Sequence, residues 1–170
     1  ISTDQGICSY NYETEDFSRY QIKGNTKDDV CFLNTSDGML LAACSNGLYR
    51  YNEQDSLFVP FLLDEEKPHV RYLAEDGDKT LWIDTNKGLM RYSLEKKQFV
   101  SLPTLIQPFT QQCNNAVLIS SNQLLFNTNN DFFVYHIQSN TLCNLSKDLE
   151  VKDFRCAATD HTGNIWVGTE

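Results

Sequence analysis

The sequence is poor in basic residues, and it lacks the features on which two large function classes depend. Only 14 Lys and Arg stand against 23 Asp and Glu among its 170 residues, which gives a formal net charge of −9. A chain with this charge repels polyphosphates, so we expect no nucleic-acid partner. No apolar run approaches the roughly 18 to 20 residues needed to cross a bilayer. We therefore expect no membrane span in this segment.

Signatures of metal sites and of nucleophilic catalysis are missing as well. The six cysteines form no Cys-x-x-Cys pair, and the three widely spaced histidines have no Gly-x-Ser-x-Gly elbow beside them. Glu75-Asp76-Gly77-Asp78 begins like a calcium loop, but Lys87 stands where the closing Glu would be, so a hairpin turn is the better interpretation. We expect no metal, no cofactor and no catalytic residue, six reduced thiols buried among apolar residues, and histidines on solvated loops.

What the sequence does contain is a short pattern that returns at nearly fixed spacing. Its clearest copies are the five-residue segments that begin at Gly47 and Gly88. The tyrosines that close the copies, spaced by 41, 41 and 43 residues, are Tyr10, Tyr51, Tyr92 and Tyr135. Six residues before the glycine position stands a large apolar residue, in the series Leu41, Trp82, Leu125 and Trp166. Three residues before it stands a small hydroxyl or thiol, in the series Thr3, Cys44, Thr85, Thr128 and Thr169.

One period has the content of four short antiparallel strands. In the period from 67 to 107, β-rich runs begin at Val70, Thr80, Leu89 and Gln98, with turn-like residues between them. No window shows a capped apolar repeat of 3.6 residues, so helix should be scarce. Four strands in about 41 residues match one blade of a β-propeller. The sequence therefore predicts an all-β propeller with four blade-equivalents.

The phase of the pattern also predicts where the blades begin and end. We expect one propeller portion over 1–170, with a half-blade at 1–25, blades at 26–66, 67–107 and 108–150, and a half-blade at 151–170. Trp82 and Trp166 recur in phase, so we place both in the packed space between neighbouring blades rather than in a sugar-stacking site. Because both ends are cut at the same phase, we expect a closed four-blade ring or self-association by strand exchange.

The repeat resembles that of the periplasmic sensor propellers of hybrid two-component regulators, typical of Bacteroides-type gut bacteria. Asp160-His161-Thr162-Gly163-Asn164-Ile165-Trp166-Val167-Gly168-Thr169 carries the first part of the family pattern, and the copy from Asp76 to Tyr92 continues it through Thr85, Gly88 and Leu89. Asp84 departs from the pattern, standing where the family has Gly. The resemblance implies a fragment of a propeller with about seven blades. It also implies an extracytoplasmic part of a membrane-bound histidine kinase that self-associates as a sensor dimer.

Propellers generally bind ligands at one end of their axis, through loops between blades and between the second and third strands of a blade. The tight turns of the second type are Asp4-Gln5, Ser45-Asn46, Asn86-Lys87 and Asn129-Asn130. Their amides suit hydroxyl groups, although Asn also favours tight turns for conformational reasons. In the inter-blade segment, His69, Arg71 and Tyr72 offer cationic and aromatic groups. As ligand-binding candidates we take His69, Arg71, Tyr72, Asn86, Lys87, Asn129 and Asn130, with an oligosaccharide as the ligand.

These observations predict a non-enzymatic sensor segment that responds to carbohydrate. Two alternatives stay open at this stage. A scaffold propeller would bind other proteins through an edge or a face. A propeller enzyme acting on polysaccharide would need paired carboxylates or a metal on the axis.

Overall fold

The computed structural model describes residues 2–3, 6–22, 30–62, 67–146 and 156–168. Within these ranges the chain is built from short strands, as the sequence predicts, and one 3-10 helix. The strands belong to two compact units, Ile1–Arg71 (unit 1) and Tyr72–Glu170 (unit 2), and each unit is described by itself. The blade boundaries stay predictions, although each four-stranded meander lies inside one predicted blade.

Unit 1 contains one seven-stranded sheet with the order β1-β2-β3-β7-β6-β5-β4. Its strands are β1 (Ser2–Thr3), β2 (Gly6–Asn11), β3 (Asp16–Ile22), β4 (Cys31–Asn34), β5 (Leu40–Cys44), β6 (Gly47–Asn52) and β7 (Leu57–Pro60). β4 to β7 form the expected antiparallel meander. The strand β3 of the first half-blade pairs parallel with β7 through Gln21↔Leu57 and Ile22↔Phe58. This pairing satisfies backbone groups that two open strand edges would leave exposed.

Unit 2 contains two four-stranded meanders and a hairpin. The first meander consists of β8 (Val70–Glu75), whose first two residues are the last two of unit 1, β9 (Thr80–Thr85), β10 (Gly88–Ser93) and β11 (Gln98–Val100). The second consists of β12 (Asn115–Ser120), β13 (Gln123–Asn127), β14 (Phe132–His136) and β15 (Thr141–Asn144). The hairpin consists of β16 (Cys156–Thr159) and β17 (Ile165–Gly168), and the 3-10 helix (Gln107–Gln112) lies between the meanders in sequence.

The recurring hydroxyl and glycine positions build the turn between the second and third strands. The Thr85 hydroxyl donates to the Gly88 carbonyl over 2.7 Å and accepts the Lys87 N–H over 3.1 Å. Thr128 accepts the Asp131 N–H at the equivalent turn, over 3.1 Å. Gly88 has a φ of +115°, which an L side chain rarely adopts. The spacing of three residues is therefore a turn requirement, which explains why it recurs.

A second recurring device joins an aspartate to the tryptophan six residues later. Asp76 accepts the Thr80 N–H over 3.0 Å and the Trp82 indole N–H over 2.8 Å. Asp160 accepts the equivalent Asn164 and Trp166 donors over 3.0 and 2.9 Å. In the blade where Leu41 replaces Trp, Thr35 replaces Asp, and its hydroxyl accepts the Met39 N–H over 3.0 Å. Asp and Trp are thus present together and replaced together.

The core of unit 2 is built around Trp82, as the phase of the repeat predicts. Trp82 is 1% exposed and clusters with Leu89 and Ile106 and with Leu124, Phe126, Phe133 and Tyr135 of the second meander. The guanidinium carbon of Arg91 lies 4.6 Å from the centre of a Trp82 ring. Burial raises the pKa of Tyr135, partly offset by the positive charge of Arg91.

Hydrogen bonds join the sheets of unit 2 at several positions along their strands. Gly77 N–H donates to the Ser121 carbonyl over 3.0 Å, so the first hairpins of the two meanders are linked. The Ala116 N–H donates to the Asp84 carboxylate over 3.3 Å near the other end of these strands. The Thr159 hydroxyl donates to the Ile119 carbonyl over 3.0 Å and attaches the hairpin β16–β17 to β12. These bonds hold the turn ends of the two meanders in a fixed relation.

The placement of Trp166 in a packed blade core is wrong. Its side chain is 66% exposed, because within the described residues no further sheet covers that face of β16–β17. The expectation of uniformly buried thiols is also wrong. Cys44 and Cys113 are buried, Cys8 and Cys31 are half-buried, and Cys143 and Cys156 are exposed. All six lie in the described ranges, and no disulfide joins any of them there.

His69 and His161 are exposed in loops, as expected, whereas His136 ends strand β14 and lies 3.4 Å from the Gln123 side-chain nitrogen. Among the described residues, no helix has the length and apolar character to cross a membrane.

The exposed turn around Asp160 should show a distinctive pH dependence. Hydrogen bonds from the side chains of Thr162, Trp166 and Asn164 hold the pKa of Asp160 well below its ordinary value of 3.8. The bonds therefore stabilise the turn fully above pH 3.8, and this contribution is lost only as the pH falls toward the lowered pKa. We expect the indole N–H resonance of Trp166 to stay constant from neutral pH to about pH 4 and to move only in stronger acid. An inflection at or above the ordinary value, or the same curve in an Asp160→Asn variant, would contradict this assignment.

Candidate functional site

The seven ligand-binding candidates fall on both sides of the boundary between the units. His69 and Arg71 belong to unit 1, where His69 is exposed and Arg71 is half-buried at the start of β8. Tyr72, Asn86, Lys87, Asn129 and Asn130 belong to unit 2. The turn Asp4-Gln5 lies outside the described residues.

The two amide-bearing turns of unit 2 lie at the same end of their meanders. Asn86 and Lys87 form the β9–β10 turn, and Asn129 and Asn130 follow β13, with all four side chains exposed. The β13–β14 turn is bonded to the segment that enters β12. Asn114 donates its side-chain amide to the Asn129 side-chain oxygen over 3.0 Å, and its backbone N–H to the Asn127 carbonyl over 2.9 Å.

The 3-10 helix completes this end and was missed by the sequence analysis. A Cβ added to Gly88 would lie 2.8 Å from the Thr110 carbonyl oxygen and 3.7 Å from the Gln111 Cα. The absence of a side chain at Gly88 thus lets the β9–β10 turn touch the end of the helix. The available signal was the run of Pro, Gln and Asn between the meanders, which is unlike the other connections.

We call the resulting surface the amide edge, and its residues are Asn86, Lys87, Gln111, Asn114, Asn129 and Asn130. It presents several amides and one ammonium group on the two turns and on the segment between the meanders. Each amide group has two N–H donors and one acceptor oxygen. The amide edge can therefore donate hydrogen bonds to hydroxyl groups of a ligand and accept hydrogen bonds from them. Two carboxylates lie close to it in sequence: that of Asp84 is 1% exposed and accepts the Ala116 N–H, and that of Asp131, half-buried, accepts a side-chain N–H of Asn144 over 2.9 Å. The chemistry of the amide edge is hydrogen bonding.

Tyr72 forms a hydrogen bond between the two meanders of unit 2. Its hydroxyl donates to the Leu118 carbonyl over 3.4 Å, and its side chain is half-buried. The bond joins β8 to β12 and directs the hydroxyl toward the neighbouring strand. Tyr72 therefore helps to hold the two meanders together beneath the amide edge.

Comparison with known proteins finds similarity in structure alone. No family model matches the sequence, and no curated protein matches it. The chain is similar to the extracellular domain of the putative hybrid two-component system BT4673 from B. thetaiotaomicron, with 20% identity and a TM-score of 0.66, over 84% of this chain and 19% of that one. The extracellular domain of the putative hybrid two-component system BT3049 from the same organism gives 17% identity and a TM-score of 0.58, over 99% of this chain and 30% of that one.

An enzyme shows the same likeness. Virginiamycin B lyase from Staphylococcus aureus gives 15% identity and a TM-score of 0.65, over 95% of this chain and 55% of that one. The chain thus spans about a fifth to a third of the two-component domains and just over half of the lyase. At these identities the similarity establishes the fold, and the resemblance drawn from the repeat is confirmed at that level. The chain has the β-propeller fold that its 41-residue repeat predicts.

Proposed function

We propose that this chain is a ligand-binding part of the extracytoplasmic, periplasmic sensor propeller of a two-component histidine kinase, and that its amide edge binds a carbohydrate. Two lines of support converge on the sensor class. The 41-residue repeat, in the copy from Asp76 to Tyr92, resembles the repeat of such sensors. The fold is shared with the extracellular domains of two hybrid two-component systems. Self-association into a sensor dimer is part of the same proposal, and light scattering of the purified chain measures it.

The observation that carries the carbohydrate proposal is the set of amides at the amide edge. The Asn114–Asn129 hydrogen bond holds one of these amides in place, and the contact of Gly88 with the 3-10 helix positions the β9–β10 turn. Rigid donors and acceptors favour a neutral polyhydroxyl ligand, because less side-chain freedom is lost on binding. The net charge of −9 works against a polyanion.

The lyase likeness favours an enzyme as the second candidate. An enzyme site needs groups that gain or lose a proton within reach of the substrate. At the amide edge the side chains are amides and one Lys, the neighbouring Asp84 is buried with its carboxylate accepting a backbone N–H, and the neighbouring Asp131 accepts a side-chain N–H of Asn144. His136 lies at the opposite end of its meander. We therefore propose binding without catalysis. An activity screen on the glycans that bind tests this directly, since turnover of any of them would favour the enzyme.

A glycan array followed by calorimetry tests the binding proposal. Replacing Asn86 and Asn130 with alanine removes two exposed amides, and we expect affinity for the bound glycan to fall about tenfold or more, at roughly 0.5 to 1.5 kcal/mol for each hydrogen bond lost. The matched control is Gln98→Ala, an exposed amide at the opposite end of the same meander. Equal loss in the control, or capture of proteins and no glycan, would exclude a carbohydrate site at the amide edge.

A further inference from the structure

Unit 1 contains a cavity that the proposed function does not use. Its volume is about 300 Å³, and it lies between the β2–β3 hairpin and the meander β4–β7. Six strands contribute to its wall. The apolar and aromatic lining residues are Ile7, Tyr20, Phe32, Leu40, Tyr51 and Phe58. Pockets that bind small molecules commonly enclose roughly 300 to 1,000 Å³, so this cavity has room for a ligand at the small end of that range.

Four aromatic rings form a continuous run along the cavity. Tyr20 and Tyr51 meet edge to face with centroids 5.3 Å apart, and Tyr51 and Phe58 are tilted at the same distance. Phe32 continues the run 6.2 Å from Phe58. Rings at these separations prefer edge-to-face and offset contacts, so the exposed edges and faces of the run favour another aromatic ring over a flexible chain.

A polar position lies on the wall beside these rings. The Ser9 hydroxyl lines the cavity and donates to the Tyr20 hydroxyl over 3.2 Å. This hydroxyl pair is exposed, so a ligand can place a single O–H or N–H group there without burying it unpaired. The rest of the ligand would contact apolar side chains. The cavity therefore favours a ligand that has one polar group at one end and is apolar elsewhere.

Size limits the ligand to about two fused rings. An apolar cavity of about 150 Å³ binds benzene, so one of about twice that volume holds a bicyclic molecule. We propose that unit 1 binds a bicyclic aromatic compound that carries one hydroxyl or N–H group, of which 2-naphthol and indole are representatives. This site is independent of the amide edge, and either can fail without the other.

Titration of the methyl-labelled chain with 2-naphthol, followed by NMR, tests the proposal. We expect saturable shifts of the Ile7 and Leu40 methyl resonances with a dissociation constant on the order of 0.1 mM, and no shift of Leu124 in the core of unit 2. Naphthalene lacks the hydroxyl and should bind about fivefold more weakly. Absence of saturable shifts, or equal shifts at Leu124, would overturn the proposal.

Two variants make the test specific. Leu40→Trp fills the cavity and should weaken 2-naphthol binding at least tenfold, whereas Leu105→Trp, at an exposed position of unit 2, should leave it unchanged. Ser9→Ala keeps the cavity and should abolish the preference for 2-naphthol over naphthalene. If Leu40→Trp does not fold, the Ser9→Ala comparison decides alone. A preference that survives Ser9→Ala contradicts the assigned polar position.

Discussion

Replacing Asp76 with alanine is expected to destabilise unit 2 by about 3 kcal/mol. Asp76 is 5% exposed, and its carboxylate accepts the N–H groups of Asp78 and Thr80 and the indole N–H of Trp82. Alanine would leave these donors without their acceptor in a buried turn, and each bond to a charged group contributes about 1.5 to 3 kcal/mol. Urea unfolding followed by tryptophan fluorescence measures the loss.

The chain supplies its own matched control for this variant. Asp160 accepts the same three donors, from Thr162, Asn164 and Trp166, but on an exposed turn where water can replace the carboxylate. We expect Asp160→Ala to leave the unfolding midpoint of unit 2 nearly unchanged. A similar loss of unfolding free energy in both variants would mean that burial does not determine how much these aspartate hydrogen bonds stabilise unit 2. A negligible loss for Asp76→Ala would mean that the aspartate is dispensable for the core around Trp82.

The second large effect is expected for Gly88→Ala, at about 3 kcal/mol with loss of glycan binding. A Cβ at this position would meet the Thr110 carbonyl oxygen at 2.8 Å, and the φ of +115° adds backbone strain. Because the obstacle is backbone, the 3-10 helix has to move away from the β9–β10 turn. Thermal unfolding and calorimetry with the bound glycan measure the two consequences.

The variant Gly163→Ala separates the effect of backbone strain from the effect of the steric clash with Thr110. Gly163 has a φ of +88° with nothing within 4 Å of the added Cβ, so only the backbone strain of about 1 kcal/mol should appear, with glycan binding intact. Equal destabilisation by the two alanine variants would show that the contact with Thr110 is unimportant. Retained binding by Gly88→Ala would show that the helix does not position the amide edge.

The features that the sequence predicted correctly are those set by local geometry within one repeat period. A spacing of three between Thr85 and Gly88 is a turn requirement, and a spacing of six between Asp76 and Trp82 is a hydrogen-bond requirement. Both recur because every blade needs them, so they are visible without any knowledge of packing.

The features that the sequence did not predict depend on what lies beside a strand. Trp166 has the same local device as Trp82, yet it is exposed, because burial is decided by a neighbouring sheet. The parallel pairing of β3 with β7 joins residues far apart in sequence and has no local signal. The 3-10 helix lies outside the repeated pattern. Periodicity therefore could not predict that this helix contributes Gln111 or that it contacts Gly88.

Mapping a bound glycan on the side-chain amide resonances of the asparagines and glutamines tests the central claim most directly. We expect the amide groups of Asn86, Gln111, Asn129 and Asn130 to shift on titration, while that of Gln98 at the far end of the meander stays in place. Shifts confined to amide groups outside the amide edge, such as that of Gln98, would contradict a carbohydrate site at the amide edge.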